Sequence, residues 1–152
     1  MSKNLMRVQP IRNGTVIDHI TAGKGRKILD TLELNEKGTT ITLLMNVPSD
    51  KNTDKDIIKI EDRELSTSES QKLALLSPDA CINIIRNFAV AEKNVVTLPK
   101  FVSDMAFCSN VNCISNNERS AKSKFNIIQT KPLAIQCIYC NRKITEGEIV
   151  VI

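Results

Sequence analysis

The sequence predicts an α+β protein in two parts: an antiparallel sheet with two helices, followed by a small all-β part folded around a metal. Three observations support this prediction. Segments with alternating apolar and polar residues indicate strands, an apolar stripe at helical spacing and a capping box indicate two helices between them, and four cysteines form two close pairs near the C-terminus. A chain of 152 residues has room for one medium domain or two small ones.

The N-terminal part has the pattern of four strands and two helices. Strands are predicted at 14–20, 39–47, 56–61 and 80–87, and helices at 25–34 and from the capping box at Ser66–Glu69 to Pro78. The order strand, helix, strand, strand, helix, strand is the ferredoxin-like plan. In this plan both helices cover one face of the sheet. The other face is then left to be covered by a partner or to carry a site, and the sheet edges can add strands from another copy.

Three charged residues in or after these strands are the first candidates for a binding site. An acidic group such as Asp18 can accept a hydrogen bond from a ribose hydroxyl, and Lys59 and Lys93 can hold phosphates as point charges. Three unrelated surface charges would give the same pattern, so the pattern alone leaves both interpretations open. Gly23 and Gly25 among basic residues suggest a phosphate loop, but their spacing does not fit a Walker motif and favours a plain helix start.

The strongest motif is the cysteine set Cys108, Cys113, Cys137 and Cys140, arranged as C-x4-C and C-x2-C. Two short cysteine turns at this separation are typical of one structural Zn²⁺ held by four thiolates. Disulfides are the alternative, and they suit a secreted protein better than a chain without a recognisable secretory signal. A site closed by four thiolates has no open position, so the predicted zinc is not catalytic.

The residues around the cysteines form a small β-module. Strands are predicted at 123–130, 133–137 and 148–152. The TLPK stretch, residues 97–100, is the best candidate hinge, and it gives predicted domains of 1–98 and 99–152. A module of this size buries little apolar area, which is why a metal is expected to stabilise it.

Composition excludes several classes of function. Aromatic residues make up 3% of the chain, which argues against stacking platforms for single-stranded nucleic acid. The net charge of +4 suits a polyanionic ligand or an acidic partner surface. No apolar run approaches the length of a membrane span and the N-terminus lacks a signal peptide, so a cytoplasmic protein is expected. A single histidine, His19, and the absence of hydrolase or cofactor motifs predict a protein that is not an enzyme.

Two classes remain open at this point. One is a ligand-binding regulatory subunit whose zinc module docks onto another protein. The other is a zinc-ribbon protein that binds nucleic acid, which calls for a concentrated basic face on the zinc module. Residues 101–152 mix basic and acidic side chains, and this mixture favours protein docking.

Six segments carry a resemblance to a known family: GTVIDHI, DIIKIE, INIIRNFAVAEK, LPKF, CSNVNCIS and CIYC. Over essentially its whole length the chain resembles the regulatory chain of bacterial and archaeal aspartate carbamoyltransferase. The resemblance implies a non-catalytic chain in the control of pyrimidine biosynthesis. It implies a nucleotide-binding domain that pairs with a second regulatory chain and a zinc domain that docks onto catalytic trimers, in a dodecamer of six catalytic and six regulatory chains. CTP, helped by UTP, is expected to inhibit and ATP to activate, with neither nucleic acid nor membrane as a partner.

The resemblance also implies the nucleotide site. Asp18 and Lys59 would hold the ribose region, and His19 and Lys93 would meet the phosphates. The residues that would line the base pocket are Val8, Gln9, Ile11, Asn83, Ile85, Phe88 and Val90. At positions 9 and 88 some relatives carry an acidic residue and a tyrosine, so this chain departs from them there. Beside the cysteines, Asn110, Asn112 and Tyr139 are expected to face the catalytic chain.

Overall fold

The computed structural model describes residues 10–34, 38–49 and 53–152, so Val8 and Gln9 lie outside the described residues. The described chain forms two compact units. The first contains the residues up to Ser66 together with Asp79–Val95, and the second contains Thr67–Pro78 together with Val96–Ile152. The predicted mixed architecture, an antiparallel sheet with two helices followed by a small β part, is confirmed.

The first unit is built on a five-stranded antiparallel sheet in the order β2-β3-β1-β4-β5. Its elements are β1 (Gly14–Thr21), α1 (Gly25–Thr31), β2 (Ile41–Pro48), β3 (Asp54–Glu61), β4 (Cys81–Arg86) and β5 (Ala89–Val95). The first four strands of this order follow the ferredoxin-like plan. β5 is an additional edge strand that pairs with β4 across a tight turn. The sequence indicated only extended chain there.

The two faces of this sheet differ in burial. On one face the isoleucines at 17, 58, 60, 82 and 84 are buried, and α1 packs on this face against β2 and β3. β-Branched side chains suit such a pleated, packed surface. Residues between them on β3, including Ile57 and Lys59, are only half-buried. The first unit therefore has a packed face and an open face.

A β-bulge interrupts the pairing of β3 with each of its two neighbours, β1 and β2. In β1 the register shifts between Ile17 and Ile20, and in β2 it shifts between Leu44 and Val47. Each bulge contains a residue in the left-handed region, His19 with φ 56° and Asn46 with φ 59°. A bulge adds a residue to one strand, so side chains that would alternate can lie on the same side.

A fully buried carboxylate, Asp56 of β3, holds this region together. Its Oδ2 accepts hydrogen bonds from the backbone N–H of Gly23 at 3.0 Å and of Gly25 at 2.8 Å. Its Oδ1 accepts from the N–H of Asn46 at 2.9 Å. One side chain thus fixes the start of α1 and the bulge in β2. A Cβ at Gly25 would lie 2.9 Å from Asp56 Oδ2, which explains the glycine there.

The second unit combines two small sheets. A four-stranded sheet has the order β10-β9-β8-β6, and a two-stranded sheet pairs β11 with β7. Their strands are β6 (Phe101–Ser103), β7 (Ala106–Phe107), β8 (Lys124–Thr130), β9 (Leu133–Cys137), β10 (Lys143–Thr145) and β11 (Val150–Val151). The helix α2 (Thr67–Leu76) and the short α3 (Ile114–Asn117) also belong to this unit. Among the described residues, no helix is long and apolar enough to span a bilayer.

The core of the second unit contains the cysteines themselves. Phe125, Leu133, Ile135 and Ile144 are fully buried, and they cluster with Cys108, Cys113 and Cys137. Leu75 of α2 belongs to the same cluster. The candidate metal ligands are therefore part of the packing of this unit.

Candidate functional site

Three residues predicted for the nucleotide site, together with Val16, form a row across the open face of the first unit. Lys59 of β3 lies opposite Val16 of β1, Val16 lies opposite Asn83 of β4, and Asn83 lies opposite Lys93 of β5. Directly opposed residues share a face of the sheet. The structure thus brings Lys59, Asn83 and Lys93, which are far apart in the sequence, onto one surface. Lys93 is exposed, and Lys59 and Asn83 are half-buried.

An apolar group lies on one side of this row, two positions further along β4. Ile85, opposite Gly14 on β1, is buried, and its partner on β5 is Val90, which is 58% exposed. Phe88, in the turn between β4 and β5, is 63% exposed. Ile11 precedes β1 and is buried. The hairpin of β4 and β5 thus carries apolar side chains near its turn, next to the row of polar groups.

Asp18 and His19 lie on the other side of the row, further along β1, and the bulge brings them together. A regular strand would have directed them to opposite faces, and β1 is not regular at this point. The His19 N–H donates to Asp18 Oδ1 at 2.7 Å, and His19 Nδ1 lies 3.6 Å from Asp18 Oδ2. A local irregularity that the residue pattern did not indicate therefore groups both side chains.

Lys55 is a neighbour of this site that the sequence interpretation did not include. Its Nζ lies 3.0 Å from Asp18 Oδ1, and both side chains are mostly buried. Lys55 and Lys59 are separated by four positions on β3, so they face the same side of the sheet. This spacing, in which every second residue of a strand faces the same side, was the sequence feature that could have indicated Lys55. The ion pair with Lys55 neutralises the charge of the Asp18 carboxylate and fixes its orientation.

The metal site of the second unit is formed by two cysteine turns that meet. The Sγ atoms of Cys108, Cys113, Cys137 and Cys140 all lie within 4.8 Å of one another. The Cys108–Cys140 sulfurs are 3.6 Å apart and the Cys113–Cys137 sulfurs are 3.7 Å apart. A tetrahedral Zn²⁺ with Zn–S bonds of about 2.3 Å separates its sulfurs by about 3.8 Å, so the four thiols fit zinc.

Asparagine carboxamides hold the first cysteine turn. Asn116 Nδ2 donates to the carbonyls of Cys108 at 2.9 Å and Asn110 at 2.8 Å. Asn117 Nδ2 donates to the carbonyls of Val111 at 3.0 Å and Cys113 at 2.8 Å. These residues on α3 were not predicted as site residues. Their signal in the sequence is the asparagine-rich run SNVNCISNN, which suits a turn with many backbone groups to satisfy.

The second cysteine turn is held by backbone bonds. Cys137 N–H donates to the Arg142 carbonyl and Asn141 N–H donates to the Cys137 carbonyl, both at 3.0 Å. The Tyr139 hydroxyl donates to the Lys122 carbonyl at 2.9 Å, while its side chain remains partly exposed. The turn is therefore rigid and still presents an aromatic ring to its surroundings.

The electrostatics of the four thiols differ from one cysteine to the next. Burial raises the pKa of Cys108 to about 12 and also raises the pKa of Cys137. The N–H of Arg142 lowers the pKa of Cys140 to about 7. When zinc is bound it supplies the positive charge that keeps all four as thiolates, and the bond pattern around them orients the sulfurs.

One unit with four clustered thiols and another with an open polar sheet face define a protein in two parts, one built to hold a metal and one with a surface suited to a ligand. Residues 6–97 match the family described as aspartate carbamoyltransferase regulatory chain, allosteric domain, and residues 100–150 match the metal binding domain of the same chain. The chain belongs to the family of aspartate carbamoyltransferase regulatory chains. It is a regulatory chain with an allosteric and a metal-binding domain, and it is not an enzyme.

Relatives of similar length support this membership. The aspartate carbamoyltransferase regulatory chain of Methanothrix thermoacetophila is 44% identical over 147 residues, which is 96% of each chain. That of Pyrococcus abyssi is 45% identical over 95% of each chain. That of Methanococcus aeolicus is 46% identical over 97% of this chain and 94% of the relative. The resemblance seen in the six sequence segments is confirmed.

Proposed function

We propose that the open face of the first unit binds nucleoside triphosphates and that the zinc module docks the chain onto the catalytic chain of aspartate carbamoyltransferase. The observation that carries the nucleotide proposal is the row of Lys59, Asn83 and Lys93 across the open face. Cationic groups on this row are placed to hold a triphosphate, while the apolar side chains beside the row suit a base.

The side chains on the two sides of the row suit different parts of a nucleotide. Asp18, oriented by Lys55, accepts hydrogen bonds from ribose hydroxyls, and Lys59 donates to oxygens of the ribose region. His19 and Lys93 meet the phosphates. The base lies toward Ile85, Phe88 and Val90, with Asn83 as its polar partner, and with Val8, Gln9 and Ile11 completing the pocket.

The proposed effectors are those of the family. CTP, helped by UTP, inhibits and ATP activates, so the chain adjusts pyrimidine biosynthesis to nucleotide levels. A nucleotide shifts activity only through different affinity for two quaternary states of the holoenzyme. The proposed holoenzyme contains six catalytic and six regulatory chains, with the regulatory chains in dimers. Its proposed compartment is the cytoplasm, where cysteines remain reduced.

The docking proposal is supported by exposed apolar side chains around the cysteine turns. Val111 is 76% exposed, Ile114 is 52% exposed, and Ile138 and Tyr139 are each more than 40% exposed. Apolar groups presented on a rigid scaffold are typical of a protein interface. Asn110 and Asn112 flank Val111 and supply polar groups at the same place. The metal thus acts on docking by holding these side chains in position.

The nucleotide proposal is tested in the holoenzyme with Lys59→Ala and with Lys27→Ala as the matched control, since Lys27 is an exposed lysine on α1. We expect Lys59→Ala to weaken CTP binding and to flatten the response of activity to CTP and ATP. Lys27→Ala should leave both as in the unaltered chain. An unchanged response in Lys59→Ala would refute the site.

The docking proposal is tested by Val111→Asp, with Ile128→Asp as the control because Ile128 is an exposed apolar residue on β8. Sedimentation of mixtures with the catalytic chain measures assembly. We expect Val111→Asp to retain its zinc and to lose assembly, and Ile128→Asp to retain both. Normal assembly of Val111→Asp would contradict the docking surface.

A further inference from the structure

The turn between β4 and β5 adopts a conformation that one of its two central residues, Phe88, does not favour. Asn87 has φ 54° and Phe88 has φ 67°, so both central residues of the two-residue turn are left-handed. Arg86 pairs with Ala89 on either side of the turn. Such turns favour Asn followed by Gly, and a bulky residue at the second position costs free energy. Something outside the hairpin must therefore hold Phe88 in place.

The segment before β1 supplies the hydrogen bonds that hold this turn. The Asn87 N–H donates to Asn13 Oδ1 at 3.1 Å. The Phe88 N–H donates to the Arg12 carbonyl at 2.8 Å. The backbone N–H groups of both turn residues are thus accepted by two consecutive residues of the N-terminal segment.

Asn13 also connects the segment to β3. Its carbonyl accepts from the Asp62 N–H at 2.9 Å, and Asp62 is itself left-handed with φ 58°. Gly14 follows at φ 141°, where a Cβ would collide with the Ile60 carbonyl, so the backbone is pressed against β3. Asn13 is therefore anchored at its main chain and free to use its side chain as an acceptor for the turn.

We infer that Asn13 is a positioning residue for the base end of the nucleotide site, acting through the Asn87–Phe88 turn. This inference rests on the proposed nucleotide function. The Asn13 carboxamide oxygen and the Arg12 carbonyl fix the turn that carries Phe88, and Ile85 pairs with Val90 in the strands next to this turn. Asn13 itself touches no phosphate in this arrangement, so its loss changes recognition of the base and leaves the charge contacts of Lys59 and Lys93 intact.

The test compares CTP binding to the unaltered chain and to four variants, one of them Lys59→Ala, by calorimetric titration over a series of salt concentrations. Asn13→Ala removes the acceptor, Asn13→Asp keeps an acceptor oxygen at the same place, and Asn126→Ala is the control at an exposed asparagine of β8. We expect Asn13→Ala to bind CTP roughly five- to tenfold more weakly, Asn13→Asp to recover most of the affinity, and Asn126→Ala to be unchanged.

The salt dependence separates positioning from loss of charge contacts or of fold. Asn13→Ala should weaken binding by the same factor at every salt concentration, whereas Lys59→Ala should reduce the salt dependence itself, because it removes a screened charge contact. The amide resonances of Asn87 and Phe88 should shift in Asn13→Ala while those of the second unit stay in place.

Two results would overturn the inference while the nucleotide site stands: wild-type affinity in Asn13→Ala, or a loss that Asn13→Asp does not restore. Absence of CTP binding by the unaltered chain and by the holoenzyme would instead remove the proposed function on which the inference rests. The two failures are therefore distinguishable in one series of titrations.

Discussion

In the first unit the candidate site and the apolar core lie on opposite faces of one sheet, whereas in the second unit the candidate ligands are inside the core. Ile17, Ile58 and Ile60 are fully buried behind the face that carries Lys59 and Asn83. Cys113 and Cys137 are buried together with Phe125 and Ile135. Ligand binding is thus separable from folding in the first unit and inseparable from it in the second.

This difference follows from size and from the type of ligand. The first unit has a five-stranded sheet with a packed face, so it is stable with its open face empty. The strands of the second unit are short, several of them two or three residues, and its four sulfurs occupy the centre. A reversible effector suits the first arrangement, and a permanent metal suits the second.

The largest expected effect comes from removing the metal. Structural zinc contributes about 10–16 kcal/mol to folding in small zinc modules, so a mercurial that displaces it should unfold the second unit. Residue-resolved hydrogen exchange should show loss of protection in β8 and β9, and assembly with the catalytic chain should be lost. Protection in β1 and β3 serves as the internal control and should persist. Retained protection of β8 after complete zinc loss would contradict the conclusion that metal binding and folding are inseparable in the second unit.

The next largest effect is expected from Asp56→Ala. Three backbone N–H groups, those of Gly23, Gly25 and Asn46, would lose their acceptor; the bond to Gly25 is buried and the other two are partly buried, and an unsatisfied buried donor costs about 1–3 kcal/mol. We expect the first unit to lose about 3 kcal/mol or more in denaturant unfolding, with zinc content unchanged. Asp54→Ala, which alters an exposed carboxylate on the same strand, is the control and should differ little from wild type. Similar stability of the two variants would refute this role of Asp56.

A smaller effect, confined to the first unit, is expected from saturating CTP. A ligand at one hundred times its Kd stabilises the folded form by about 2.7 kcal/mol. Hydrogen exchange should slow in β1, β3 and β4 and remain constant in β9 and β10. Equal slowing in both units would show that the two regions are not separable in the way the sheet and the metal core indicate.

The smallest effect is expected at the exposed ion pair of Glu64 and Arg86, whose closest atoms are 2.9 Å apart. The hydrogen bond from Arg86 lowers the pKa of Glu64 below its ordinary value of 4.5. A lowered pKa in the folded state stabilises the protein above the unfolded-state value, and the contribution is lost as the pH falls through the folded-state value. Glu64→Gln should therefore be slightly less stable than wild type at pH 7 and equal to it in acid. A difference in stability between the two proteins that grows as the pH falls would contradict the stabilising effect of this ion pair.

Most of the elements could be predicted from the residue pattern, because their signals are local. The strand at 56–61 lies within Asp54–Glu61, and those at 123–130 and 133–137 match Lys124–Thr130 and Leu133–Cys137. The short strand at Lys143–Thr145 was not predicted, since three residues carry too little alternation to be recognised. The grouping of α2 with the second unit depends on contacts distant in the sequence, which no local pattern reports.

The candidate sites divide in the same way. Four cysteines at fixed spacing determine a metal site, since each turn presents two sulfurs from neighbouring positions. The residues of the nucleotide site were implied by the resemblance and remain proposals. Their arrangement in one row depends on the pairing of β3, β1, β4 and β5, and the spacing that places Lys55 on the same face as Lys59 does not report its distance to Asp18.

The sequence by itself determined the α+β class, the family and the four sulfur ligands, because alternation, motifs and cysteine spacing are properties of adjacent residues. Only the tertiary structure decided that Asp18 and His19 lie together, that Asp56 ties α1 to the bulge in β2, and that Asn13 holds the turn of Phe88. These three features are hydrogen bonds and register shifts made by folding. Their energies depend on backbone positions that the pattern of side chains does not specify.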